Sequence, residues 1–252
     1  MPSVTLAQKI ALARQAHHQR RGYEFLHQRF GGTYIRDLVY GANDGIITTF
    51  AVVAGVAGAA LSPAVVLVLG FANLFADGLA MAIGNYLGTK SQQDYVKSEI
   101  AMETWEIDHL PQEERQEIRD IYQKKGFTGP DLNQAVAIIT GDKDRWVNEM
   151  MVSELGILPE TDHHAAVKNG LATFIAFNLA GLMPLMPYIL GRSGFTGSAV
   201  MAGAALFFVG SLRTLITRRF WLRSGLEMLL VGAIAANVAY LTGFAIDHLI
   251  NS

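Results

Sequence analysis

The chain has 252 residues, no cysteine and a formal net charge of −2 at pH 7, and 51% of its residues are hydrophobic. This length allows one or two soluble domains. The absence of cysteine excludes thiolate metal sites, and no nucleic-acid partner is predicted.

The first 31 residues predict a basic amphipathic helix that lies on the cytosolic membrane surface. They contain LAQKIALARQAHHQRRGYEFLHQRF, in which charges recur throughout and the apolar segment of a signal peptide is missing. His17, His18 and His27 are candidate metal ligands, but Glu24 is the only acidic residue beside them. Interfacial histidines without a ligand role are the favoured alternative.

Five apolar blocks follow, and each is as long as a membrane-spanning helix. Such a helix needs roughly 20 mostly apolar residues, whereas core helices of soluble proteins are usually amphipathic. We therefore predict an all-α integral membrane protein with five transmembrane helices, not a soluble helical protein. The blocks cover residues 38–61, 62–89, 169–191, 193–212 and 224–246.

The first block contains a single charged residue, Asp44, within YGANDGIITTF. A carboxylate inside a span is costly and is by default a functional hypothesis. Asn43, Thr48 and Thr49 can supply further oxygen ligands, and Thr48 lies one helical turn from Asp44 on the same face. The first span therefore predicts part of a cation site.

The second block also contains one charge, Asp77, in the middle of GFANLFADGLAMAIGNYLGTK. Asn73, Asp77 and Met81 recur every four residues and form one helical stripe. Two carboxylates on adjacent spans can bind a divalent cation and can take up protons when the cation leaves. The alternative is that Asp77 pairs with a buried donor and is only structural.

A polar insert occupies residues 90–168, with nine Lys or Arg, sixteen Asp or Glu and a formal balance of −7. This acidity predicts a cation partner. We expect the second span to continue as a helix to Asp108. Three further helices are predicted: one from Pro111 to a stop at Gly126, one capped by Asp131, and one capped by Asp142 that stops at Gly156.

Within the insert, acidic and thioether side chains recur at a spacing of three residues. Glu103 pairs with Glu106, Glu114 with Glu117, and Met151 with Glu154. Carboxylates and thioethers without cysteine favour Fe²⁺ or Mn²⁺. The spacing is equally compatible with a solvated acidic face and with methionines that only fill the core.

The last three spans contribute fewer candidates. Pro184 and Pro187 predict a kink in the third span. Glu227 in the fifth span is either an entry residue or an interfacial partner of Arg223. Basic residues cluster before the first span and between the fourth and fifth, which predicts a cytosolic N-terminus and a C-terminus on the far side.

Several long motifs in one order resemble the vacuolar iron transporter family, over about residues 32–250. The motifs are RDLVYGANDGIITTFAVVAG, GFANLFADGLAMAIGNYLGTKS, EMMVSELG, GLMPLMPYIL and RSGLEMLLVGAIAA. The resemblance implies five transmembrane helices, a homodimer with the ion path at the subunit interface, and a cytosolic metal-binding module between spans two and three.

The resemblance also implies site residues and a function. The family's first-span aspartate falls on Asp44 and its second-span methionine on Met81, and Asn73 stands where plant-type members carry glutamate, a carboxylate that Asp77 can replace. The family's cytosolic ligand set falls on Glu103, Glu106, Glu114, Glu117, Met150, Met151 and Glu154.

The resemblance therefore predicts a transporter, not an enzyme, that exports Fe²⁺ from the cytosol by proton antiport, with Mn²⁺ as a second candidate substrate. Co²⁺ and Zn²⁺ are further candidate substrates, and no prosthetic group is expected. The alternative is a membrane-anchored metal sensor or storage partner that acts through the insert. An intramembrane enzyme lacks support, because no HExxH or GxSxG motif is present.

The predicted domains are the N-terminal helix at 1–31, spans one and two at 32–90, the cytosolic acidic module at 91–165, and spans three to five at 166–252. The short N-terminus and the NLFADG variant predict a multi-pass protein of a bacterial inner membrane.

Overall fold

The computed structural model describes residues 32–158, 162, 164–191, 194–214 and 220–251. The predicted N-terminal helix and its three histidines lie outside these residues. So do Arg218 and Arg219, two of the basic residues between the fourth and fifth spans. Within the described residues the fold is all-helical, as predicted. The helices are α1 Gly32–Gly58, α2 Pro63–His109, α3 Pro111–Lys124, α4 Gly129–Thr140, α5 Lys143–Ser153, α6 Ala165–Gly181, a 3₁₀ turn Met183–Leu185, α7 Met186–Ile189, α8 Phe195–Leu212 and α9 Trp221–Asn251.

Five stretches of helix are long and apolar enough to cross a membrane, which confirms the five predicted spans. The second span is part of α2, which has 47 residues. At 1.5 Å per residue this helix is about 70 Å long, more than twice the roughly 30 Å of a bilayer core. It therefore continues well beyond one membrane crossing, as the sequence predicted.

The described residues divide into two compact units, and the boundary falls inside α2. One is the membrane unit, which contains the described residues up to Asn85 and from Lys168 onward. The other is the insert unit, Tyr86–Val167.

In the membrane unit, α1 packs closely against both α6 and α9. A Cβ atom at Gly41 would lie 2.8 Å from the carbonyl oxygen of Thr173, and one at Gly58 would overlap the carbonyl oxygen of Tyr240. Only glycine permits backbones to approach this closely, as is common between membrane helices. The glycines of α1 therefore bring its polar residues next to α6.

The third span is broken, as the prolines predicted. Its helix ends at Gly181, and the 3₁₀ turn and the short α7 carry the chain onward. Pro184 lacks the N–H that would continue the helix. Ser198 of α8 donates a hydrogen bond of 2.6 Å to the Pro184 carbonyl oxygen, which ties the break to the fourth span.

The predicted ends of the insert helices match the structure at Pro111, Gly126, Asp142 and Gly156 and differ at Asp131. The Asp142 side chain accepts a hydrogen bond of 2.8 Å from the Arg145 N–H, and Gly126 has a φ of +99° just after α3. The prediction that Asp131 caps its helix is wrong, because α4 begins at Gly129. Pro130 suits the first turn of a helix, so Asp131 already lies inside that turn, where its charge favours the helix dipole.

Candidate functional site

Two glutamates of the insert unit are buried although both are ionisable. Glu103 on α2 is 5% exposed and Glu114 on α3 is 4% exposed. The Oε2 atom of each is buried and has no hydrogen-bond partner. A buried carboxylate oxygen without a donor is destabilising, so both side chains have an open position for a proton or a cation.

Burial and neighbouring carboxylates raise the pKa values of both glutamates. The pKa of Glu103 rises to about 7, first because of desolvation and then because of Glu154, Glu106 and Glu117. The pKa of Glu114 also rises to about 7, through desolvation and the charges of Glu117, Glu103, Glu106 and Glu154. The five predicted carboxylates therefore act on one another electrostatically.

Glu154, the residue that follows α5, also belongs to this group. Desolvation raises its pKa, and so do the charge of Glu117 and a hydrogen bond with the Glu117 side chain. Two carboxyl groups can form such a bond only when they share a proton. The structure thus brings together Glu103, Glu106, Glu114, Glu117 and Glu154, all of which the resemblance singled out.

The two methionines of the predicted ligand set are fully buried. Met150 and Met151 are each 0% exposed and pack against Ile107, Ile118 and Trp146 in the apolar core of the insert unit. Their role as ligands stays a prediction. Within the described residues no three His, Asp or Glu side chains have the arrangement of a formed metal site, so ligation by this cluster requires its side chains to move closer together.

A second group of candidates lies in the membrane unit. Asp44 on α1 and Asp77 on α2 are both half-buried, and they are near enough for the charge of one to act on the other. Two like charges in a low-dielectric environment repel each other strongly. A divalent cation or a shared proton between them relieves this repulsion.

Buried polar atoms without partners surround these two aspartates in sequence. Asn43 Oδ1, Thr48 Oγ1, Thr49 Oγ1 and Asn73 Nδ2 are all buried and accept or donate no hydrogen bond. Thr49 is 0% exposed. Buried polar groups normally have hydrogen-bond partners. A dehydrated cation or ordered water molecules would supply the partners that these atoms lack.

Met81 lines a cavity of about 330 Å³, together with Gly84 and Asn85 of α2 and Thr173 of α6. Asn85 donates a hydrogen bond of 2.7 Å to the Thr173 hydroxyl, which fixes this wall of the cavity. The other wall is α1, with Arg36, Asp37 and Tyr40.

Asp37 was not predicted as a site residue, although it stands in the RDLVYGANDG motif. Its side chain is buried, at 9% exposed, and it lies seven residues, or two turns, before Asp44. The i, i+7 spacing places both on one face of α1 and is the signal that would have found it. Asn85 and Thr173 carry no comparable sequence signal.

Glu227 is exposed, and its two alternative roles stay predictions.

A family model described as the VIT family matches residues 35–244 of this chain. The chain is 35% identical over 228 residues to a vacuolar iron transporter of Toxoplasma gondii, which covers 86% of this chain and 76% of that protein. It is 34% identical over 228 residues to a vacuolar iron transporter of Plasmodium berghei, and the match covers 86% of this chain and 84% of that protein. It is 32% identical over 220 residues to vacuolar iron transporter 1 of Arabidopsis thaliana, and the match covers 86% of this chain and 88% of that protein. None of these three supports the predicted bacterial inner membrane.

Proposed function

The chain belongs to the VIT family and is a metal transporter, and from this premise we propose that it carries Fe²⁺ out of the cytosol in exchange for protons. It is not an enzyme, and Fe²⁺ is its substrate, not a resident cofactor. Mn²⁺ is proposed as a second substrate, because oxygen ligands suit both ions. The predicted orientation, with a cytosolic N-terminus, is part of this proposal.

The observation that carries the proposal is the Asp44–Asp77 pair with its unpartnered neighbours in the membrane unit. Membrane carboxylates usually mark ion or proton pathways. A cation binds between Asp44 and Asp77 when both carboxylates are ionised. When the cation leaves, protons neutralise the two carboxylates. The same pair therefore supports metal binding and proton exchange in turn, which is what an antiporter needs.

The cavity with Asp37 and Met81 supports an access route to this pair. Asp37 supplies a charge that attracts a cation, and Met81 supplies a soft thioether that favours a transition metal over Ca²⁺ or Mg²⁺. We propose that the ion passes from this cavity to Asp44, Asn73 and Asp77.

The insert unit is proposed to bind metal ions before transport. Its carboxylates lie close enough for their charges to repel one another, so ionising all of them is unfavourable without metal and a bound cation relieves the repulsion. The resemblance also supports a homodimer with the ion path at the subunit interface, and we retain that as a proposal.

Transport by purified protein in liposomes tests the membrane pathway. Asp44→Ala is expected to abolish Fe²⁺ flux, since one carboxylate alone cannot compensate a divalent charge. Asp247→Ala is the matched control, because this aspartate lies near the end of α9 and only accepts a hydrogen bond of 2.7 Å from Asn251. Wild-type flux in Asp44→Ala contradicts the pathway.

A metal sensor anchored in the membrane is the second candidate, favoured by the buried glutamates of the insert unit. It predicts that Glu103→Gln removes metal binding while Asp44→Ala changes nothing measurable. A transporter instead loses flux in Asp44→Ala while the insert still binds metal. The two variants, measured for binding and for flux, distinguish the candidates.

A further inference from the structure

The membrane unit contains an apolar groove that the proposed ion site does not use. It is formed by α1, α6 and α8 and has a volume of about 630 Å³. Every residue that lines it is apolar. Small side chains such as Ala42 and Ala205 form its floor, and large exposed side chains such as Leu38, Leu179 and Phe208 form its rims. A groove with this lining, on helices that cross a membrane, opens toward the lipid.

The groove occupies one end of the bundle. Helices α1 and α8 are antiparallel, because Phe50 near the end of α1 stacks on Phe195 at the start of α8 with ring centroids 5.9 Å apart. Leu38 on α1 and Leu212 on α8 therefore mark the same end of the groove. The stacked pair lies at the other end of these helices and does not line the groove.

The depth of the groove matches one leaflet of a bilayer. Its α8 wall runs from Met201 to Leu212, which is about 16 Å at 1.5 Å per residue. Its α1 wall runs from Leu38 to Ile46, or about 12 Å. Half of a bilayer core is about 15 Å. A helix from another protein would use the whole length of the span, whereas a lipid chain extends through one leaflet.

The end marked by Leu212 has the residues expected beside lipid headgroups. Arg213 follows directly, and Arg223 lies just inside the start of α9. Trp221 is 52% exposed and meets the ring of Phe207 edge-on, with centroids 5.8 Å apart. Tryptophan is typical of the membrane interface, and arginine binds phosphate groups well because its donors form a planar fork.

We propose that this groove binds one acyl chain of an anionic phospholipid, with the lipid phosphate at Arg213. The proposal does not depend on the transport mechanism, because none of the groove residues belongs to the proposed ion site. The proposal is that α8 and the first turns of α1 contact one specific lipid and not only the bulk lipids of the bilayer.

Photocrosslinking tests the proposal with full-length protein in phosphatidylcholine vesicles. The probe is phosphatidylglycerol with a diazirine on one acyl chain, and labelled peptides are mapped by mass spectrometry. We expect labelling of the Met201–Leu212 segment in the wild type. Ala204→Trp fills the groove and is expected to lower that labelling about tenfold, equivalent to about 1.4 kcal/mol. Ala245→Trp, at an exposed alanine of α9 outside the groove, is the matched control and should leave it unchanged.

The headgroup is tested with a diazirine phosphatidylcholine of the same chain length. The wild type should be labelled several-fold less by this probe, and Arg213→Gln should make the two probes equal. Ala204→Leu serves as a milder filling variant if the tryptophan variant does not fold. Equal labelling of the filled and control variants overturns the proposal. So does a crosslink between two copies of α8, which would make the groove an interface between protomers.

Discussion

Lys125, the residue that follows α3, donates a hydrogen bond of 2.7 Å to Glu149 of α5 and another of 2.7 Å to Ser153 of α5. Ser153 in turn donates one of 2.6 Å to Glu149. Burial alone would raise the pKa of Glu149, but the hydrogen bonds from Lys125 and Ser153 keep it below its usual value. Glu149 is therefore held as an anion by lysine and does not share the raised pKa of the neighbouring glutamate cluster.

The first prediction concerns this contact. Lys125→Ala is expected to destabilise the protein by about 1 kcal/mol, because a hydrogen-bonded ion pair that is partly exposed contributes about this much. The substitution also removes the hydrogen bond from Lys125 to Glu149, so the affinity of the insert unit for metal ions should change. Thermal unfolding and Mn²⁺ titration measure both effects, with the exposed neighbour Lys124→Ala as the control. Identical results for the two variants contradict the prediction.

The second prediction is a pH dependence of the metal-free protein. Glu103 and Glu114 have folded-state pKa values of about 7, above the 4.5 of an unperturbed glutamate. Their protonated forms favour the folded state, so this stabilisation is complete below about pH 4.5 and is lost as the pH rises through 7. The free energy of unfolding of the insert unit should therefore fall between pH 5 and 8, by on the order of 2 kcal/mol once screening by solvent is taken into account.

Fluorescence of the buried Trp146 during denaturation follows this effect in the full-length protein. Glu103→Gln with Glu114→Gln removes both titrating groups and should flatten the pH profile. Glu113→Gln changes an exposed neighbour and should leave the slope intact. A wild-type profile that rises with pH would show that these carboxylates are ionised and satisfied without metal.

The third prediction concerns metal binding by the same cluster. Fe²⁺ or Mn²⁺ should bind more tightly at pH 8 than at pH 6, because protons compete for the carboxylates. Glu154→Gln should weaken binding by roughly tenfold or more, since it removes a charge next to Glu117. Calorimetry in two buffers of different ionisation enthalpy also measures the protons released. Binding without proton release contradicts the proposed ligands.

The fourth prediction concerns Asp37, which the sequence patterns did not indicate. Asp37→Asn keeps the shape of the cavity wall but removes its charge, so Fe²⁺ flux in liposomes should fall at low metal concentration. Raising the metal concentration should restore part of the flux, because an access residue affects binding more than the transport step. A loss that excess metal does not relieve would place Asp37 in the transport step itself.

The fifth prediction concerns the packing of α1 on α6. A Cβ at Gly45 would overlap the carbonyl oxygen of Phe177, so Gly45→Ala must push the two helices apart. We expect the free energy of unfolding to fall by about 1–3 kcal/mol, as at other overpacked sites. Fe²⁺ flux should also fall, because Asp44 is the adjacent residue. Gly88→Ala is the control, since nothing lies within 4 Å of its added Cβ. Equal melting temperatures for the two variants contradict this packing role.

Local patterns in the sequence were sufficient for most of the helices. Apolar length predicted the five spans, Pro184 and Pro187 predicted the break in the third, and Asp142 predicted a cap that the structure contains. The prediction of the Asp131 cap was wrong because α4 begins at Gly129, with Pro130 and Asp131 both in its first turn. These features depend on a few neighbouring residues, so a sequence window contains their causes.

The composition of the candidate site was harder to predict. The resemblance named the insert glutamates, but spacing alone did not distinguish a solvated face from a buried cluster. Nothing in the local sequence showed that Met150 and Met151 lie in an apolar core, or that Asn85 reaches Thr173 across 88 residues. Such contacts depend on which helix faces meet.

The sequence by itself determined that this chain crosses a membrane in five helices and carries carboxylates within two of them, because hydrophobic length and charge are properties of each segment. Only the tertiary structure decided that Glu103 and Glu114 are buried beside their neighbours, that Asp37 lines a cavity with Met81, and that α1, α6 and α8 form a groove one leaflet deep. Burial and cavity shape arise where distant segments pack together, and that packing is set by close helix contacts such as Gly45 on Phe177.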